Sequence, residues 1–276
     1  MLTLLTLTGL LAVQSAHAAD RPLVLGIFPN MTAKQIVENY RPLADSLEKH
    51  LQRRVVIYSA RDFRTFIERS HRGDYDIVLT APHLAFLARQ EAGYRPLLKY
   101  AQPVRGLLVV RNDAPLHDLG DLRDRTLATA DPLAVVVLAI HSELDAHGLR
   151  RDLDYRTLDF STHLNAAMQV INGRADAAVL GLHPYNLMPR ELRLQLRVLT
   201  ETPPLSGLMY LAHPRLRDAE AQAIRTGLLR FAATPQGQSF IQRGGYGNFI
   251  EATGHELEFF RPYAVQTQTL LRATLP

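Results

Sequence analysis

Short apolar runs alternate along this chain with segments whose apolar positions recur every three or four residues, the pattern of buried strands leading into amphipathic helices. LVLGIF (23–28) reads as a buried strand, and Pro29-Asn30 turns the chain. Thr32 with Gln35 forms a capping box for a helix to about Leu51, with Ile36, Val37, Tyr40, Leu43, Ala44, Leu47 and Leu51 at helical spacing. A strand over 55–60, a helix from Asp62, a strand over 76–81 and a helix from Pro82 follow, then strands around 95–101 and 104–110. The second half repeats the theme. Strand 126–130 runs into Asp131-Pro132, read as the cap and first position of a helix ending near Gly148. RTLDFS (156–161) leads into a helix capped by Ser161 or Thr162, and strand 175–181 into a helix after His183-Pro184. Strands over 197–201 and 207–212 come next. From Arg217 onward the chain reads as helices broken by Pro235 and by Gly244-Gly245-Tyr246-Gly247. Such alternation predicts α/β architecture with mostly parallel sheets.

One internal correspondence refines this. GDYDIVLTAPH (73–83) aligns with GRADAAVLGLH (173–183), each a helix-ending Gly, an Asp-containing turn, a buried strand and a His at the next helix start. The chain is therefore expected to hold two similar lobes. Ligands of open α/β sheets bind beyond the carboxyl ends of the strands, so His83 and His183 are expected near a cleft.

The N-terminal residues bear on the compartment. An apolar run, LTLLTLTGLLAV, followed by Ala16-His17-Ala18 predicts a signal peptide over 1–18 cleaved before Ala19, although no Lys or Arg precedes the run. No later stretch has spanning length. The sequence contains no Cys, which excludes disulfides, thiol catalysis and a lipoprotein anchor and suits an exported protein. Lys and Arg total 31 against 27 acids, a net charge of +4, with Lys only at 34, 49 and 99. The basic residues are interspersed with acids, so no nucleic-acid partner is expected.

Catalytic motifs are missing. Ser161, His163 and Asp131 are the residue types of a nucleophilic triad, but no G-x-S-x-G elbow exists, no Walker loop or G-x-G-x-x-G follows a strand, and no enzyme activity or cofactor is expected. His83, His163 and His183 are candidates for contact with an anion or another polar ligand, as charged or hydrogen-bonding groups; structural capping or a surface place, and coordination of a metal by three imidazoles, are the alternatives. The tight spacing of a zinc site is absent, and no metal is expected. Asp131 is a helix cap or a group that grips a ligand's amine or hydroxyl, and Arg61 a loop residue or a forked donor to an acidic ligand.

Four stretches taken in order, LGIFPNMTAKQIVENYRPLADSLEKHL, SARDFRTFIERSHRGDYDIVLTAPHLAFLA, STHLNAAMQVINGRADAAVLGLHPY and RVLTETPPLSGLMYLAHPRL with TPQGQSFI, resemble the phosphate, phosphite and phosphonate binding proteins of ABC transporters. The resemblance implies a type 2 periplasmic binding protein fold: two lobes, each a mixed, mostly parallel sheet flanked by helices, with the ligand cleft between. Lobe 1 is then 19–104 with 206–276, lobe 2 is 105–205, and the two crossing segments form a hinge. It also maps ligand contacts onto Pro29, Asn30, Phe63 (commonly Tyr in the family), Thr80, Pro82, His83, Asp131, Leu133, Thr162, His163, Leu182 and His183. The implied function is a monomeric periplasmic receptor that closes on a small ligand, by family a phosphonate- or phosphate-like oxyanion with a different solute as the other possibility, and delivers it to an ABC permease; a ligand sensor signalling to a membrane histidine kinase is the alternative. One departure concerns the ligand. Phosphonate-binding members carry a Ser-Thr-Ser-Gly-like run where this chain has Pro132-Leu133-Ala134-Val135, without hydroxyls and, at Pro132, without an N–H. The expected ligand is less anionic at that helix start than a phosphonate, or is held from the other lobe.

Overall fold

A computed structural model describes residues 21–273, so the expected signal peptide lies outside the described residues. The elements run β1 (Leu23–Ile27), α1 (Ala33–Leu51), β2 (Val55–Tyr58), α2 (Phe63–His71), β3 (Ile77–Thr80), α3 (Pro82–Ala92), β4 (Arg95–Tyr100) and β5 (Gly106–Arg111). They continue with β6 (Thr126–Thr129), α4 (Val135–Ala146), β7 (Arg156–Asp159), α5 (His163–Ile171), β8 (Ala177–Gly181), α6 (Leu182–Leu187), α7 (Arg190–Arg193) and β9 (Leu196–Glu201). The chain closes with β10 (Met209–Ala212), α8 (Asp218–Ala233), α9 (Pro235–Gly244), β11 (Phe249–Glu251) and α10 (Arg261–Ala273), with short 3-10 turns at Leu119–Leu122 and Glu256–Phe260.

Two sheets result, ordered β11-β4-β10-β3-β1-β2 and β7-β6-β8-β5-β9. They have one topology. Replacing β1, β2, β3, β10 and β4 by β6, β7, β8, β5 and β9 converts the first sheet without its edge strand β11 into the second. In each, three adjacent strands are parallel and the fourth runs against them. The reversed strand is the one that has just crossed over from the other sheet: it enters at the carboxyl edge of the parallel strands and can only run away from it. The repeat around Gly73 and Gly173 sits inside this symmetry. Both glycines have positive φ (72° and 69°), which only glycine adopts without strain. Asp76 and Asp176 each accept a hydrogen bond from the first residue or second residue of the neighbouring parallel strand, Val24 N–H and Thr126 N–H, both at 2.8 Å.

Caps explain most helix starts. The Thr32–Gln35 capping box forms as expected, Asp62 Oδ1 accepts from Thr65 N–H at 2.7 Å, and Thr162 rather than Ser161 caps α5 through Asn165 N–H at 3.2 Å. Three expectations are corrected. The helix after β6 starts at Val135 with Ala134 as its cap position, because Asp131 Oδ1 turns back onto Leu133 N–H (2.9 Å) and Ala134 N–H donates to the Asp131 carbonyl (2.9 Å), closing a turn ahead of the helix. The helix expected after His183-Pro184 opens two residues earlier, so His183 lies in its first turn. The Gly-rich stretch after α9 is followed by β11, an edge strand paired antiparallel with β4 and too short to carry a periodic signal.

Candidate functional site

The carboxyl ends of six parallel strands converge on one cavity of about 660 Å³, counted with its open mouth. From the first sheet, the loops after β1, β2 and β3 contribute Phe28 and Asn30, then Phe63, then Ala81. From the second, the segments after β6, β7 and β8 contribute Ala134 to Val136, then His163, then Leu182 and His183. The crossing segments supply Tyr100 and Gln102 to Arg105 on one side and Leu208 on the other, and Tyr246 completes the lining. This is where open α/β sheets bind ligands.

Three contacts span the cleft. His83, on α3 of the first sheet's layer, donates from Nε2 to the Leu133 carbonyl at 2.9 Å, which fixes the Nε2–H tautomer because a carbonyl only accepts. Asp131 Oδ2 accepts from Phe63 N–H, at the start of α2, at 3.3 Å. His183 reaches the opposite way: Nδ1 donates to the Gly244 carbonyl, so Nε2 is left to accept from the Tyr246 hydroxyl at 2.8 Å, which in turn pairs with the Tyr40 hydroxyl at 2.6 Å. The two histidines of the internal repeat thus clasp opposite halves. Burial pushes the pKa of His83, His163 and His183 down to about 4 each, so all three are neutral at pH 7.

Charge in the cleft is balanced. Arg105 bonds Glu201 Oε1 at 2.7 Å, and burial pushes the Asp131 carboxyl up despite the Leu133 and Phe63 amides, with Asp62 and Asp159 adding repulsion. Among the described residues no cluster of His, Asp or Glu could hold a metal ion. Asn30 is 6% exposed and its Oδ1 has no partner, and α4 begins without a side-chain cap.

Of the residues expected from sequence, Asn30, Phe63, His163, Leu182 and His183 are brought together in the lining. Thr162 lines a smaller neighbouring groove that shares Asn30 and Pro184 with it. Pro29, Thr80, Pro82, His83, Asp131 and Leu133 are not lining residues; His83, Asp131 and Leu133 act instead in the contacts between the halves, and the Thr80 hydroxyl is buried without a partner. Arg61 is exposed, its Nε paired with Asp62 at 3.0 Å and Thr65 at 3.3 Å. Asp131 does not cap α4, which overturns the reading in which it would occupy that helix's free amides. Sequence reasoning missed Tyr100, Gln102, Arg105, Leu208 and Tyr246. Tyr100, Gln102, Arg105 and Leu208 belong to the crossing segments or their ends, where a signal was available, and Tyr246 to the Gly-rich stretch after α9.

Comparison with known proteins supplies the family context. The family described as ABC transporter, phosphonate, periplasmic substrate-binding protein matches residues 25–257. The phosphonates-binding periplasmic protein of Escherichia coli (strain K12) is 20% identical over 286 residues, covering 95% of this chain and 82% of its own. A binding protein component of an ABC phosphonate transporter from Pseudomonas aeruginosa superposes with a TM-score of 0.80 at 19% identity, over 93% of this chain and 91% of that one. A Prochlorococcus marinus (MIT 9301) protein solved in complex with methylphosphonate gives 0.81 at 15% identity, over 89% and 98%.

Proposed function

From the premise that the chain belongs to the family of periplasmic substrate-binding proteins of ABC phosphonate transporters, solute carriers rather than enzymes, we propose that it closes two lobes on a small solute and hands the loaded form to an ABC permease. Its fold is that of type 2 periplasmic binding proteins. On this reading residues 1–18 are a cleaved export signal, 19–104 with 206–276 form one lobe and 105–205 the other, and the mature chain works as a monomer. A permease is preferred to a membrane histidine kinase as partner because the family is one of transport proteins.

The observation that carries the reading is the cavity between the carboxyl ends of two sheets of one topology, spanned by hydrogen bonds from both halves. Two crossing segments, bridged at Val104 and Leu205, are all that joins the sheets through the backbone. Rotation about them separates the walls without unfolding either sheet. A solute trapped between the walls stabilises the closed form by its differential affinity for it, and the permease then recognises a surface present only when the lobes meet.

A thermal-shift screen tests this, using phosphate, phosphite, alkylphosphonates, sulfonates, carboxylates, amino acids and neutral cyclic and aromatic solutes. A ligand at about a hundred times its dissociation constant adds about 2.7 kcal/mol to stability. One class is expected to raise the unfolding midpoint with the logarithm of concentration, and X-ray scattering of the same sample to show a smaller radius of gyration than the ligand-free protein. A midpoint unmoved by every class would overturn the reading.

A further inference from the structure

The cleft's chemistry goes further than the family does, and the inference it carries rests on the reading of the cleft as a solute site. A phosphonate or phosphate brings a full negative charge and an excess of acceptor oxygens, and it needs cations or many free donors to replace its water. The described lining offers no unpaired cation, and its open donors are neutral amides such as those of Gln102 and Asn186. Its arginine, Arg105, already bonds Glu201, and its two histidines, His163 buried and His183 partly buried, are uncharged at pH 7 because desolvation lowers each pKa to about 4. Asp131, whose carboxylate takes the Phe63 amide at the start of α2, sets a negative group beside the walls. Most of the remaining lining is hydrocarbon, with Phe28, Phe63, Val135, Val136, Leu182 and Leu208 among it.

The polar groups left open describe a different molecule. Asn30 is buried and lines the cavity, and its Oδ1 is an enclosed acceptor without a partner in the protein, which an N–H or O–H brought against it would satisfy. Across from it, the residues that open the uncapped α4 line the same cavity, and a helix start without a cap accommodates one acceptor of the same group. A hydroxyl or a secondary amide presents both at once. We infer that the cleft takes a neutral organic molecule with an apolar body and one hydroxyl or amide-like group, in place of a phosphorus oxyanion.

The test uses N-phenyl-1-naphthylamine, a neutral apolar fluorophore with a single N–H, titrated into the mature protein. Its emission is expected to rise, shift to the blue and saturate at one molecule per chain, and millimolar methylphosphonate, phosphite or phosphate to neither displace it nor move the unfolding midpoint. Ala134→Asp supplies the missing cap and sets a second carboxylate on the cavity wall. It is expected to weaken the dye by at least about tenfold while an unchanged far-ultraviolet circular dichroism spectrum shows that the fold is kept. Stabilisation by any of the three oxyanions, with no response from the dye, would overturn the ligand class and leave the solute-receptor reading standing. Dye binding that Ala134→Asp leaves unchanged would place the dye on the outer surface and also overturn the inference, as would the absence of any dye response. The solute-receptor reading fails separately, through the wider screen.

Discussion

Tyr246→Phe deletes one oxygen from a chain of buried polar groups, and its cost is set by what remains. The Tyr40 hydroxyl loses its partner and His183 Nε2 is left without a donor, so a loss of about 1–3 kcal/mol is expected in urea unfolding. At Asp131 the sign reverses. Burial raises its carboxyl, so its charged form is disfavoured in the fold; Asp131→Asn keeps an acceptor for the Leu133 and Phe63 amides and is expected to be at least as stable as wild type at pH 7, whereas Asp131→Ala is expected to be less stable. The buried histidines set the acid limit. With folded pKa values of about 4 against about 6.5 unfolded, His83, His163 and His183 bind protons more readily in the unfolded chain. Their contribution is complete above about pH 6.5 and is lost as pH falls toward 4, up to about 3 kcal/mol for each. A thermal unfolding series should be flat near pH 7 and fall steeply through that window. The sequence signalled that these histidines matter, through their place at helix starts after matched strands. It could not tell that His83 and His183 bond across the cleft to Leu133 and Gly244, because those partners lie 50 and 61 residues away and only the closed packing brings them near.

At the level of elements, the repeat uses one device with two strengths. Asp76 is fully buried and holds Val24 N–H at 2.8 Å, Arg21 at 2.5 Å and Arg215 at 2.7 Å; burial would raise its pKa, but the amide and the two guanidinium groups outweigh that and lower it. Asp176 holds Thr126 N–H at the same distance but meets Arg125 only at 3.6 Å, with about a third of its side chain exposed. Asp76→Ala is therefore expected to cost about 3–5 kcal/mol and Asp176→Ala about 1–2 kcal/mol, compared by chemical denaturation. The strand-helix rhythm was legible because each strand is a short apolar run followed by a capping residue that the structure uses, such as Thr32, Asp62 or Thr162. The start of α4 was misread for a physical reason: an Asp-Pro pair suits a tight turn as well as a helix entry, and here the Asp131 side chain bonds Leu133 two residues on. The edge strand β11 was missed because three residues between glycines and a loop form no period.

Over the whole molecule, the crossing segments carry the strictest geometry. A Cβ on Gly207 would lie 1.9 Å from the Tyr100 carbonyl oxygen and 2.9 Å from that of Gln102, both backbone atoms that cannot step aside. Gly207→Ala is expected to cost about 3 kcal/mol or more and to disturb closure as well as stability, read as a change in the radius of gyration, about 18 Å for a compact chain of this length. The two-lobe organisation was readable from the matched segments around Gly73 and Gly173; the crossing segments' share of the cavity emerges only when both sheets are in place. One of the residues they place there has an optical consequence. The sequence contains ten tyrosines and no tryptophan, so tyrosine is the main near-ultraviolet chromophore. Tyr100 and Tyr246, both in the cavity lining, stack with ring centroids 4.2 Å apart and planes 11° from parallel. Rings held that closely share their excited states, so whatever enters or leaves the cleft is written into the protein's own circular dichroism, and occupancy can be followed without a label.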